Sequence, residues 1–315
     1  MMNETADGRA KVTAGGGRGV LRSMVRRFAA ALPPRRVVVR IAAVLTLVSS
    51  SFSGPATAVA AGPVIPEPQT RLLVGGPASD GEGTYSLGLD IVLPDGWHTY
   101  WRHPGDTGLP PTIEAVESGN LESLAVAFPA PQRYDDGFST SIVYHGRVVL
   151  PLDVAADDPG TPVHLVLDVL YGYCKDVCVP ASARFEVDLR PDMAADPAAA
   201  GEIAAARALV PVPEAASDGA LRVTAFEPAG EEDGRPVRRV VVEAPAGAAV
   251  DLFAEGPQGW SLPLPRPVAG DPTSSRHVFL LTIDGLPRHA DPAGATIRLT
   301  AVAGGRAIEA ERRLD

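Results

Sequence analysis

Hydrophobic and polar positions alternate along most of this chain after about Thr70. Tyr85, Leu87, Leu89, Ile91 and Leu93 take turns with Ser86, Gly88, Asp90 and Val92, the period of two that marks a half-buried β-strand. Pro94-Asp95-Gly96 signals a turn. Trp97-His98-Thr99-Tyr100-Trp101 then reads as an extended stretch with both tryptophans on one side. Arg102 to Pro111 is rich enough in Pro and Gly to read as loop. Ser123 to Phe128 and Arg147 to Val154 are further strand candidates. Val163, Leu165, Leu167, Val169 and Tyr171 alternate again and lead into a turn, which Arg184 to Leu189 leaves. Strand, turn, strand is a hairpin, and its two sides bring side chains to disulfide distance.

The pattern changes at Asp192, where Ala and Pro dominate. Asp196 suits an N-cap, Pro197 suits the first helical position, and Val210-Pro211 ends the run, which predicts one helix over Pro197 to Leu209. Short strands resume at Leu221–Glu227, Val237–Ala244, Ala249–Ala254, His277–Ile283, Thr296–Ala301 and Ala307–Arg313, with Pro/Gly turns between them. Many short strands at this spacing indicate a β-sandwich. The expectation is an all-β protein of two sandwich domains, residues 70–191 and 217–315. A short Ala-rich helix and a Pro-rich linker over 192–216 join them. The second domain has no cysteine and reads as a docking or spacer module.

The first 60 residues read differently. Arg26, Arg27, Arg35, Arg36 and Arg40 make a basic region, Ile41 to Val48 a short apolar one, and Ala56-Thr57-Ala58 or Ala58-Val59-Ala60 a small-x-small cleavage site. This is the layout of a secretory signal, and the apolar run is too short to span a bilayer. Met24-Val25-Arg26-Arg27 would open such a signal, so Met24 is expected to be the translation start. Residues 1–60 hold nine Lys/Arg and two acids, a net of +7; the whole chain carries −10, so the exported part carries −17. An acidic surface of that size argues against nucleic acid or anionic lipid as partners.

Export bears on the only two cysteines, Cys174 and Cys178, since an oxidising compartment lets a disulfide persist. A cross-link over so few residues contributes only about 2 kcal/mol by loop entropy, a weak staple for a chain of this size. The alternative is a pair that exchanges electrons with a partner's thiols. Spacing alone leaves both open. Lys175, the only lysine after the signal, lies between the cysteines and favours a thiolate, while the adjacent Asp176 opposes it. The histidines His98, His103 and His145 lack tight ligand spacing, so neither a metal nor another cofactor is expected. Ser/His/Asp catalysis lacks a G-x-S-x-G elbow, and Asp95, Asp106, Asp135 and Asp136 fit turns. Among the aromatics, Trp97 and Trp101 suit a core. Tyr144 and Tyr173 are candidates beside the cysteines, and Tyr134-Asp135-Asp136-Gly137-Phe138 suits a loop that covers them and opens to a partner.

Several blocks in order resemble the amino-terminal periplasmic domain of the DsbD/ScsB thiol:disulfide interchange proteins. They are Gly96-Trp97-His98-Thr99-Tyr100-Trp101-Arg102 with Pro104-Gly105-Asp106-Thr107-Gly108-Leu109-Pro110, then Pro131-Gln132-Arg133, Val148-Val149-Leu150-Pro151-Leu152, and Tyr171-Gly172-Tyr173-Cys174 to Cys178-Val179-Pro180-Ala181. The resemblance covers residues 70–190, and the helix and second β domain look like the continuation in the ScsB-like branch. It implies immunoglobulin-like folds and Cys174 and Cys178 as a redox-active pair. It further implies a periplasmic protein-disulfide reductase component that passes electrons to or from thioredoxin-like proteins. Full-length relatives continue into a membrane domain and a thioredoxin-like domain. Neither is seen before Asp315, so the expectation is a soluble shuttle or a domain serving a separately encoded membrane electron-transfer protein. The competing expectation is a secreted, non-enzymatic binding or assembly module with a structural disulfide.

Overall fold

The computed structural model describes residues 65–78 and 82–315. The signal segment over 1–60 and the start at Met24 lie outside the described residues. The first strands are β1 (Gln69–Pro77), β2 (Thr84–Val92), β3 (His98–Gly105), β4 (Thr112–Ala115), β5 (Leu121–Val126), β6 (Gln132–Asp135), β7 (Thr140–His145), β8 (Arg147–Ala156), β9 (Val163–Cys174) and β10 (Cys178–Leu189). They form two sheets, ordered β1-β2-β8-β5 and β10-β9-β3-β7-β6, with β4 also paired to β9. The inward residues of the alternating strands fill the space between them. Leu87, Leu89 and Ile91 of β2, Leu150 and Leu152 of β8, and Leu165 and Leu167 of β9 are fully buried in one core, with Trp97 and Trp101 among them. The result is an immunoglobulin-like sandwich.

Residues 102–105 correct the loop reading, because β3 runs on to Gly105. Its register against β7 holds at Tyr100↔Val143 and resumes only at Gly105↔Ser141. Pro and Gly here mark a bulge in a strand and not its end.

The helix α1 (Pro197–Arg207) starts as its sequence dictates, with the Asp196 carboxylate accepting from the Ala198 and Ala199 amides and Pro at the first turn. It is packed, not suspended. Its buried residues Ala199, Ile203 and Ala206 line one side, and Ile203 lies on β1 and β2 where Gly75 and Gly88 have no side chain. A Cβ at Gly88 would lie 3.0 Å from both Ile203 and Val149, so the glycine allows the helix to approach. Asp90 on the same outer face is fully buried and pairs with Arg71 and Arg147, and Arg147 also pairs with Glu202 of α1.

The remaining strands are β11 (Val212–Pro213), β12 (Arg222–Glu232), β13 (Arg235–Glu243), β14 (Val250–Glu255), β15 (Arg266–Pro267), β16 (Arg276–Thr282), β17 (Thr296–Ala303) and β18 (Arg306–Arg313). Their sheets run β11-β18-β17-β14 and β12-β13-β16-β15 around a second core that includes Val240, Leu252, Leu281, Leu299 and Ala301. The Pro-rich stretch after the helix is tied down. Val212 and Pro213 pair in parallel with β18, and the Glu214 carboxylate accepts from the Val223 amide at 2.6 Å and from Arg312 at 2.7 Å. The two sandwiches share apolar surface, for Phe253 of β14 is fully buried and belongs to the first core, 5.8 Å from the Trp101 ring. Among the described residues no helix is long and apolar enough to cross a membrane.

Candidate redox site

The β9–β10 hairpin sets the two sulfurs. Cys174 and Cys178 are cross-strand partners closing a three-residue turn, with α-carbons 4.2 Å apart, and they are joined as a disulfide. Their surroundings differ. Cys174 is only 2% exposed, whereas Cys178 stands at the surface.

The buried sulfur is contacted by a residue that the sequence reading passed over. The Tyr100 hydroxyl donates to Cys174 Sγ at 2.8 Å and lies 3.4 Å from Cys178 Sγ. Trp97, Thr99 and Trp101 of the strand face inward, so His98 and Tyr100 must face the other way. That parity was the available signal. Gly108 makes the room, since a Cβ there would come within 2.2 Å of the Tyr100 ring. Burial, and then the negative charge of Asp136, raise the Tyr100 pKa, so the hydroxyl keeps its proton and remains a donor.

Register extends the site sideways. His98 is the cross-strand partner of Cys174 on one side and of His145 on the other. Cys178, Cys174, His98 and His145 therefore form one row across four strands. The His98 ring lies 4.7 Å from Tyr134, 5.5 Å from Tyr100 and 5.8 Å from His145. Burial, and then the neighbouring His145, lower its pKa against the opposing pull of Asp136, so the neutral ring is favoured.

The other residues singled out from sequence fall in different places. Tyr134 is half-buried and packs with Tyr100, Val143 and Cys174. Phe138 is fully exposed at the tip of the β6–β7 turn, where Asp136 accepts from the Phe138 and Ser139 amides. It lies on neither sulfur in this conformation. Tyr144 points into the core and donates to the Pro129 carbonyl. Tyr173 also faces the core, 4.9 Å from Trp97, although it adjoins Cys174 in sequence. Lys175 is exposed, and its Nζ lies 3.1 Å from the point where a Cβ of Gly96 would stand, so the chain folds over that turn. Among the described residues no cluster of three or more His, Cys, Asp or Glu is placed to hold a metal.

Residues 69–189, which hold both sulfurs and the strands around them, match the family model described as thiol:disulfide interchange protein DsbD, N-terminal. The first sandwich belongs to that family. As a DsbD amino-terminal domain it is of the thiol:disulfide interchange class. The crystal structure of the N-terminal periplasmic domain of ScsB from Proteus mirabilis aligns at 20% identity with a TM-score of 0.60, covering 78% of this chain and 92% of that one. At that identity the likeness speaks for the fold, and its coverage extends past the DsbD-like domain into the second sandwich. A crystal structure of the YadV chaperone aligns over 77% of this chain and 99% of that chain at 14% identity, with a TM-score of only 0.21. No curated protein sequence matches the chain.

Proposed function

We propose that this chain is a periplasmic thiol–disulfide interchange protein that passes electron pairs through Cys174 and Cys178 to or from a thioredoxin-like partner. The exchange chemistry is assigned to residues 70–191, with the helix and linker over 192–216 and the β domain over 217–315 in support. The observation that carries the reading is the asymmetry of the pair: one sulfur open at the apex, the other buried against a tyrosine hydroxyl.

Exchange needs an accessible sulfur and a good leaving group. A partner's thiolate attacks Cys178 Sγ, the Cys174–Cys178 bond breaks, and Cys174 leaves as a thiolate that accepts the Tyr100 hydrogen bond. A second thiolate of the partner then attacks the partner's sulfur in the mixed disulfide. Cys178 is released as a thiolate and takes up a proton, as does Cys174 when it equilibrates with solvent. The partner ends oxidised and this chain reduced by two electrons; reversal runs the electrons the other way. A hydrogen bond to a charged acceptor contributes roughly 1.5–3 kcal/mol, enough to speed departure of the buried sulfur by tenfold or more. Exposed Val177 and Leu109 border the hairpin, and Phe138 stands on the next loop, whose Thr140 amide donates to Asp106 at 3.0 Å. Val177 beside Cys178, and Leu109 against Gly172 of β9, offer exposed apolar surface near the open sulfur for a partner's own redox face.

Trapping tests the reading. Cys174→Ser leaves the attacking Cys178 without its resolving partner and is expected to accumulate a mixed disulfide with a thioredoxin-like protein on non-reducing gels from cells. Cys178→Ser is expected to trap far less, and the double serine variant none. Equilibration with glutathione should place the pair above about −300 mV, the value below which structural disulfides typically lie. No trapped species in any exported, folded variant, with a lower potential, would leave a binding module with a structural disulfide.

A further inference from the structure

The second sandwich grips the two strands that wall the buried sulfur. Strand β14 presents Asp251, Phe253 and Glu255 at alternate positions, hence on one face. Arg133 of β6 donates to Asp251 from both Nε (3.1 Å) and Nη2 (2.8 Å), and to the Leu252 and Pro265 carbonyls at 3.2 and 3.0 Å. Arg102 of β3 donates to Glu255 from Nε (2.9 Å) and Nη2 (2.6 Å), and to Glu309 of β18 at 2.6 Å. Between these two forks Trp101 meets Phe253. The paired side chains are only 18–30% exposed, so solvent screens them less than surface ion pairs, and their bidentate geometry fixes direction as well as distance.

The residues gripped are the immediate neighbours of the site. Tyr100 precedes Trp101 and Arg102, and β3 loses its ladder register to β7 right after Tyr100, recovering it only at Gly105. Over that gap Phe253, Glu255 and Glu309 hold the strand. Arg133 precedes Tyr134, which packs beside His98 and Cys174, and β6 is a four-residue edge strand paired to β7 alone among the described strands.

We propose that the second sandwich positions the redox site, with Asp251 and Glu255 as positioning residues that hold Tyr100 and Tyr134 against Cys174. This deepens the exchange reading above and rests on it. The Tyr100 hydrogen bond favours the Cys174 thiolate over the disulfide sulfur. A loosened grip therefore weakens it and shifts the pair toward the disulfide.

The test uses the full chain and the dithiol–disulfide equilibrium of Cys174–Cys178 in glutathione or dithiothreitol buffers, with circular dichroism to verify folding. Asp251→Asn/Glu255→Gln is expected to shift the equilibrium about tenfold toward the disulfide, ~30 mV. Tyr100→Phe should give a similar shift, and adding it to the double variant should give little more, as coupled residues do. Glu255→Gln alone gives a smaller shift in the same direction and serves if the double variant does not fold. The charge swap Arg133→Asp/Asp251→Arg should restore most of what Asp251→Arg alone loses. An equilibrium unchanged in the folded variants, or one whose shift adds in full to that of Tyr100→Phe, overturns the proposal. Dithiothreitol poises even a low-potential pair, so this result stands apart from the trapping experiment: absence of a trapped partner would remove the exchange reading, not the coupling.

Discussion

At the scale of single residues, the site depends on a tyrosine and a glycine. Tyr100→Phe removes the hydroxyl 2.8 Å from Cys174 Sγ and keeps the ring. The exchange rate with dithiothreitol is expected to fall about tenfold, by the strength of a hydrogen bond to a charged sulfur, while thermal stability changes little; stopped-flow tryptophan fluorescence measures both phases of the comparison. An equal rate would mean that the buried thiolate leaves without help. Gly108→Ala acts from the other side. Gly108 has φ +124°, outside the range of other residues, and its new methyl would meet the Tyr100 ring. The expected outcome is a loss of at least 1–3 kcal/mol in denaturant unfolding together with the slow exchange of Tyr100→Phe. The cysteine pair was legible in the sequence because it held the only thiols. Tyr100 was not, because apolar alternation marks the inward face that Trp97 and Trp101 occupy, while an outward tyrosine that meets a distant cysteine leaves no local pattern.

At the scale of elements, the alternating strands were legible for the reason that they are stable. Each of β2, β8 and β9 buries one side, so the period of two survives in the residues. What covers an outward face leaves no such trace. The helix was foreseen in position but read as a joint, although Ile203 seats it on β1 and β2. Ile203→Ala is expected to cost about 2–5 kcal/mol, measured by urea unfolding; a cost below 1 kcal/mol would mean that the helix does not pack there in solution. The same face carries a pH-dependent clamp. Burial works to raise the pKa of Asp90, but hydrogen bonds from Arg147 and Arg71 outweigh it and hold the carboxyl below its ordinary value. A depressed folded pKa gives stability that is fully present above the unfolded value of about 3.9 and is lost as pH falls through the folded value. The chain should therefore lose stability below about pH 4, and Asp90→Asn should flatten that slope while lowering stability near neutrality. Urea midpoints at pH 3, 4 and 7 decide it.

At the scale of the whole molecule, two sandwiches that read as separate modules share a core residue. Charged positions such as Arg102, Arg133, Asp251 and Glu255 look like surface in a sequence, because ion pairs between distant segments have no local pattern. Phe253→Ala removes a fully buried ring from the first core and is expected to cost about 3–5 kcal/mol. It should weaken both sandwiches together. Equilibrium unfolding followed by tryptophan fluorescence and by far-ultraviolet circular dichroism is expected to give coincident curves for the parent chain, as a single cooperative unit does. Two separated transitions would show that the sandwiches fold independently and that the shared phenylalanine matters little.

The lateral row of Cys178, Cys174, His98 and His145 gives this chain a built-in spectroscopic reporter. Of its six histidines, His98 is the direct neighbour of Cys174 on the next strand and His145 the one beyond. His103 lies further along β3, His164 at the end of β9 away from Cys174, His277 on β16 and His289 in the loop before β17. Opening the disulfide changes the charge and polarity beside His98 and His145 and not beside His164, His277 and His289. The ring-proton resonances of His98 and His145 should thus move as the pair is reduced, with the larger change at His98, and the remote three should stay fixed. Redox state can then be followed in the intact protein without labelling a sulfur.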